Sequence, residues 1–295
     1  MNRIHHAPVA PLPPGAADCH LHVFGPFDRY PLAAERAYNV AEAPLEAHER
    51  MKRQVGLERT VLVQASGHGM DNRAMLAALE ALGERGRGIA VIPLEFPKNE
   101  LESLHAAGVR GVRLNLATLA SRHSGDPAEL LARYARLVAP LGWHVQVFAP
   151  PQTLLVLEHP IERCPVPVVV DHMGLPDAAA GVEQPSFRAL LRLMQCPHVW
   201  TKLAGADRIT RSSGRLRDAV PFMRALAAAA PDRLVWGSDW PNIGFHSGTQ
   251  VHGDAVLPHR ELDAGELLDV LAEAVPDAAV RAAILAANPA RLYGF

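Results

Sequence analysis

Asp18-Cys19-His20-Leu21-His22-Val23-Phe24 is an apolar, strand-prone run with an acid and two imidazoles at every second place. Successive side chains of a strand point to opposite faces. The pattern therefore predicts Asp18, His20 and His22 on one face, with Cys19, Leu21 and Val23 on the other, packed against helices. A lone histidine in a strand is ordinarily a hydrogen-bonded core residue. Two at i and i+2, at the strand's C-terminal end, can converge on one ion or one substrate oxygen.

Seven further short runs bounded by Gly, Pro or Asp read as strands: Thr60–Ser66, Ile89–Leu94, Val109–Leu116, His144–Phe148, Val168–His172, Val199–Leu203 and Leu234–Asp239. Between them lie Ala/Leu/Arg/Glu-rich segments with helical spacing, such as Met70–Arg85, Ala128–Val138 and Asp218–Ala230. Asp126-Pro127 supplies an N-cap followed by proline at the first helical position, and Pro140 closes that helix. Eight strand–helix units predict an α/β protein, a distorted (β/α)8 TIM barrel. An open doubly wound sheet is the alternative, but no GxGxxG follows the first strand. Pro26–Pro44 and Ile243–Pro258 read as loop insertions at the C-terminal face. Residues 1–17 read as an N-terminal extension and 18–295 as one domain.

The 295 residues are 49% apolar and 20% charged with a net charge of -2. That is ordinary globular composition and gives no basic surplus for nucleic acid or an anionic membrane. Cys19, Cys164 and Cys196 form no CxxC pair or zinc-ribbon spacing. With no apolar run near ~20 residues, the expectation is a cytoplasmic protein, monomeric or a small homo-oligomer.

The other strands end as the first does. The sixth, Val166-Pro167-Val168-Val169-Val170-Asp171-His172, predicts Val168, Val170 and His172 on one face. The eighth, Leu234-Val235-Trp236-Gly237-Ser238-Asp239, sets Asp239 at its mouth, beside the first strand in a closed barrel. Three imidazoles and a carboxylate then share one space. Neutral imidazoles can bind a divalent metal or donate to a carbonyl oxygen, and the carboxylate can take a proton from water. Such a base predicts a rate that falls as acid protonates Asp239. On the fourth strand Arg113 and Asn115 share the inward face; Arg122, Arg208 and Arg211 lie on mouth loops. Arginines there suit bidentate recognition of an anion. Tyr38, Ser66, His68, Gln146 and Asn242 also fall near strand ends. His144 lies at the N-terminal end of its strand and reads as structural.

DCHLHVFGPFDRYPL (18–32), VLVQASGHGMDN (61–72), GVRGVRLNL (108–116), VVVDHMGLP (168–176), LVWGSDWP (234–241) and NPARLYGF (288–295) resemble the amidohydrolase superfamily, over nearly the whole chain. The resemblance narrows to the branch that includes 2-pyrone-4,6-dicarboxylate lactonases. It implies hydrolysis of an anionic lactone, in the breakdown of aromatic compounds. His20, His22 and His172 would polarise the carbonyl, and Asp239 would act as general base. Tyr38, Arg122, Arg208 and Asn242 would hold the carboxylates and ring of a small anionic lactone or dicarboxylate. The branch implies no required cofactor; one Zn2+ or other divalent metal on His20, His22, His172 and Asp239 is the alternative. Dinuclear relatives carry Lys or Glu on the fourth strand and His on the fifth, whereas this chain has Arg113 and Gln146. Leu175 and Phe148 stand where a basic contact and a Tyr hydroxyl would be expected. A metal-dependent decarboxylase of an aromatic or muconate-type acid, or a lactonase for a sugar-acid lactone, fits the same frame.

Overall fold

The structure, a computed structural model, describes residues 3–118, 125–245 and 255–295. Eight parallel strands form one sheet in chain order: β1 (Ala17–Leu21), β2 (Arg59–Val63), β3 (Gly86–Ala90), β4 (Val109–Asn115), β5 (His144–Phe148), β6 (Val168–Val170), β7 (Val199–Leu203) and β8 (Leu234–Trp236). Helices Leu45–Val55, Arg73–Leu82, Lys98–Ala106, Pro127–Val138, Pro151–Glu162, Pro185–Leu193 and Val220–Ala229 fill the crossovers, and Ala264–Ala274 follows β8. The fold is a (β/α)8 barrel. Asp126 caps its helix as its sequence predicts, accepting from Glu129 N–H at 2.9 Å. Among the described residues no helix is long and apolar enough to cross a membrane.

The barrel closes just beyond β8. Asp239 N–H donates to His20 O and His22 N–H to Trp240 O, each at 2.8 Å. Below them, Ser238 N–H (2.9 Å) and Oγ (2.5 Å) reach the Asp18 carboxylate, so a side chain stitches the seam. The backbones approach closely at Gly237, where an added Cβ would lie 2.6 Å from His20 Cβ.

Two expectations from strict alternation fail. In β1, Asp18 pairs with Thr60 but Leu21 pairs with Leu62, so β1 carries one extra residue. Such a bulge re-aims side chains. Cys19 joins Val61, Val63, Ile89, Val169, Trp200 and Val235 inside the barrel, while Leu21 joins the outer core beneath the helices. Asp18, expected beside His20 and His22, instead reaches His48 Nε2 (3.0 Å) on helix Leu45–Val55. His48 is fully buried. In β6, Val168 and Val170 face the outer core and Val169 the interior. His172 does not share their face. The strand stops at Val170 and a left-handed turn (His172 φ 51°, Met173 φ 55°) swings the imidazole inward. Non-glycine residues adopt that conformation only when their surroundings enforce it.

The two insertions meet. Asn39–Val40 pairs in parallel with Val256–Leu257, and the bridges Phe24–Ala43 and Ile243–His259 tie each insertion to its base. Tyr293, on the terminal helix Asn288–Tyr293, is buried with the interior apolar cluster.

Candidate active site

At the strands' C-terminal ends the buried Asp239 Oδ1 faces three imidazoles. It lies 3.7 Å from His20 Nε2 and 3.9 Å from both His22 Nε2 and His172 Nε2. Asp239 has φ 57°, a second left-handed residue at this centre. Neither Asp239 Oδ1 nor His20 Nε2 has a hydrogen-bond partner among the described residues. Buried polar atoms are rarely left so, and both face the same space.

The proton on His22 is placed by geometry. Its Nδ1 lies 2.8 Å from the Val63 carbonyl oxygen, which can only accept. Neutral His22 therefore presents a lone pair at Nε2. Burial, reinforced by Arg113, lowers its pKa to about 4. Burial also lowers His172 to about 4 and pushes His20 well below the usual imidazole range. All three are neutral at pH 7. Burial opposes ionisation of Asp239, but Arg208, with Nε 2.5 Å from Oδ2, and the three imidazoles together outweigh it and hold the carboxyl well below the usual carboxylate range. The acid limb expected from Asp239 thus passes to the histidines.

A cavity of about 240 Å3 opens above this centre, lined by His22, His172, Tyr38, Ser66, Arg113, Phe148, Leu175, Arg208, Arg211 and Phe245 among others. Tyr38 OH and Ser66 Oγ are 2.8 Å apart. Arg113 lies over the Phe148 ring at 4.8 Å, and Phe245 is flanked by Arg211 at 4.7 Å and Arg260 at 4.2 Å. Arg208 sits on the one-turn helix Ala206–Ile209. Gly205 before it lets the chain pass His172, because a Cβ there would lie 2.7 Å from Nδ1.

Three expected residues point elsewhere. Gln146 lies below the cavity and donates to Asp171 Oδ2 at 3.0 Å. Asn242 donates to the carbonyls of Ser238 (3.0 Å) and Asp239 (3.2 Å), bracing the turn that aims Asp239. His68 bonds Pro31 O at 3.1 Å and stacks on Phe24. Arg122 lies outside the described residues.

Sequence reading passed over a buried layer beneath the histidines. Asp171 Oδ2 receives Arg113 Nε at 3.1 Å as well as Gln146, and its Oδ1 lies 3.3 Å from His20 Nδ1. Lys202 of β7 is fully buried with Nζ 3.9 Å from the same Oδ1. Burial, partly offset by Asp171, brings Lys202 down to about 8. A buried unpaired charge costs several kcal/mol, so Asp171 is the counter-charge that makes Arg113 and Lys202 tolerable. Arg260 likewise pairs with the buried Asp207 behind Arg208. Alternation carried a signal for two of these residues: Val169/Asp171 and Trp200/Lys202 share inward faces.

One atom each from His20, His172 and Asp239 lie within 4.8 Å of one another, a set that fits a single divalent ion. Arg113 and Gln146 both donate to Asp171, and the Arg113 cation beside the centre opposes a second divalent ion.

A family model described as amidohydrolase matches residues 17–295. The chain belongs to the amidohydrolase family. Among relatives of this amidohydrolase, a 4-sulfomuconolactone hydrolase of Rhizobium radiobacter is 39% identical, covering 99% of this chain and 94% of its own. A 2-pyrone-4,6-dicarboxylate hydrolase of Comamonas testosteroni is 36% identical, covering 97% and 92%. A solved structure from Acinetobacter baumannii, a "probable 2-pyrone-4,6-dicarboxylic acid hydrolase" with citric acid bound, superposes with a TM-score of 0.77 at 30% identity, covering 95% and 100%.

Proposed function

We propose that this amidohydrolase opens a small anionic lactone by hydrolysis, with 2-pyrone-4,6-dicarboxylate as the first substrate to test. One observation carries the reading: a carboxylate aimed at three neutral imidazoles lies beneath a small cavity walled by Arg113, Arg208 and Arg211. The activities named for the Rhizobium and Comamonas relatives support it.

In the proposed reaction the lactone carbonyl lies over the imidazoles and the ring's anionic groups face Arg113, Arg208 and Arg211. Asp239 Oδ1 takes a proton from water as the water oxygen bonds to the carbonyl carbon. The carbonyl oxygen becomes an oxyanion met by N–H groups of His20 and His172, since His22 keeps its proton on Nδ1 against Val63 O. As the tetrahedral centre collapses, the ring C–O bond breaks and the leaving oxygen recovers the proton from Asp239. Tyr38 and Ser66 offer hydroxyls to the ring. An anionic group in the cavity competes with Asp239 for Arg208, which couples substrate charge to the freedom of the base. The reading requires no cofactor. Were a divalent ion held by His20, His172 and Asp239, with His22 alongside, it would supply Lewis-acid polarisation of the carbonyl.

The test is loss of pyrone absorbance on adding purified protein, with 4-sulfomuconolactone and sugar-acid lactones assayed in parallel. Opening of the pyrone is expected. Opening of another anionic lactone alone would correct the substrate, and no turnover of any would overturn the reading. A metal-dependent decarboxylase is favoured by one observation, the ligand set itself. It requires stoichiometric metal and an activity that chelation abolishes.

A further inference from the structure

His20 Nδ1 is bordered by two groups with opposite demands. Lys202 Nζ lies 3.4 Å away, anchored by a 2.8 Å bond to the Cys19 carbonyl oxygen. Asp171 Oδ1 lies 3.3 Å away. The ammonium can only donate, so it needs Nδ1 as an acceptor and leaves the single proton of neutral His20 on Nε2. The carboxylate can only accept, so it needs that proton on Nδ1 and leaves Nε2 as a lone pair. Of the two, Lys202 Nζ meets Nδ1 in hydrogen-bond geometry, whereas Asp171 Oδ1, although 3.3 Å away, lies off the direction a ring N–H would take.

We propose that Lys202 is a positioning residue that holds His20 in the Nε2–H form, making it a hydrogen-bond donor to the reacting carbonyl rather than a metal ligand. His22 is held in the opposite form by Val63 O. Two imidazoles two residues apart thus do different work: His20 donates and His22 accepts. A divalent ion needs the lone pair of His20 Nε2. To bind there it must drive the proton to Nδ1, break the Lys202 bond and recruit Asp171 as the new acceptor, so Lys202 weakens metal binding at this centre. The proton's position follows from which groups can donate, and not from the lactone reading.

Both tests are made without substrate, so failure of the lactonase assay leaves them intact. In metal-free, 15N-histidine-labelled protein, the imidazole signals missing from a His20→Gln spectrum report the tautomer of His20. A protonated Nε2 with an unprotonated Nδ1 is expected; a protonated Nδ1 overturns the proposal. Zinc competition against a chromophoric chelator gives the second readout. Lys202→Met should bind zinc at least about 10-fold more tightly than the unmodified chain. A folded Lys202→Met protein with unchanged or weaker zinc affinity overturns the proposal, since a purely structural lysine would lower Tm without moving either readout. Should Lys202→Met not fold, the spectrum of the unmodified protein decides alone.

Discussion

Replacing Gly237 with alanine adds one methyl where the barrel closes. That carbon would lie 2.6 Å from His20 Cβ and 2.7 Å from His20 N. Ordinary contact begins near 3.4 Å, so β1 and β8 must part by roughly 0.8 Å, the size of overpacking that costs about 1–3 kcal/mol. For a chain of this size that is a Tm loss of roughly 2–5 °C. His20 must move with its backbone, because Asp239 N–H is bonded to His20 O. A reacting group misplaced by about 1 Å can lose ~100-fold in rate. Thermal unfolding and kcat/KM on the lactone should therefore fall together. Gly56→Ala is the control: Gly56 has φ 85° with nothing within 4 Å of an added Cβ, so stability should fall with activity kept. If Gly237→Ala loses the same few degrees but keeps kcat/KM within twofold, the seam does not position His20 for chemistry, and the reasoning fails.

Arg208→Met should raise KM by about 10–100-fold, the equivalent of one lost charge-assisted hydrogen bond; equal losses in kcat and kcat/KM would make Arg208 a transition-state group. Asp239→Asn should still bind substrate, by calorimetry, while hydrolysis falls by several orders of magnitude; a modest loss would remove Asp239 as the base. His22 and His172 titrate near 4 in the fold and 6.5 when free. Between those values the unfolded chain binds more protons, so stability should rise with pH from about 4 to 6.5 and level off above. A denaturant midpoint flat across that window would refute the burial argument. The activity's acid limb should fall near 4, a value belonging to the coupled cluster; a limb near 6.5 would mean the imidazoles are solvated.

The barrel was legible because its signals are local: eight apolar runs, helical spacing between them and an Asp-Pro helix start all act within a few residues. In β8, Val235 faces the interior and Asp239 stands at the strand's mouth, where the sequence sets it. Elsewhere the chemistry lies where alternation breaks. A one-residue bulge turns Cys19 inward and Asp18 outward, and a left-handed turn brings in His172 after β6 has faced its valines to the helices. Asp171 and Lys202 could have been found by extending alternation to their strands. Nothing in local sequence says that they meet His20.

The order of the residues alone determined the repeating unit, the polar strand ends and hence the types of group at the barrel mouth, since side-chain chemistry and short-range propensity need no partner. Only the closed tertiary structure decided which way those groups point and where their protons sit. Barrel closure sets Val63 O against His22, Arg208 against Asp239, and both Lys202 and Asp171 against His20. Each tautomer and charge state follows from a neighbour 31 to 182 positions away.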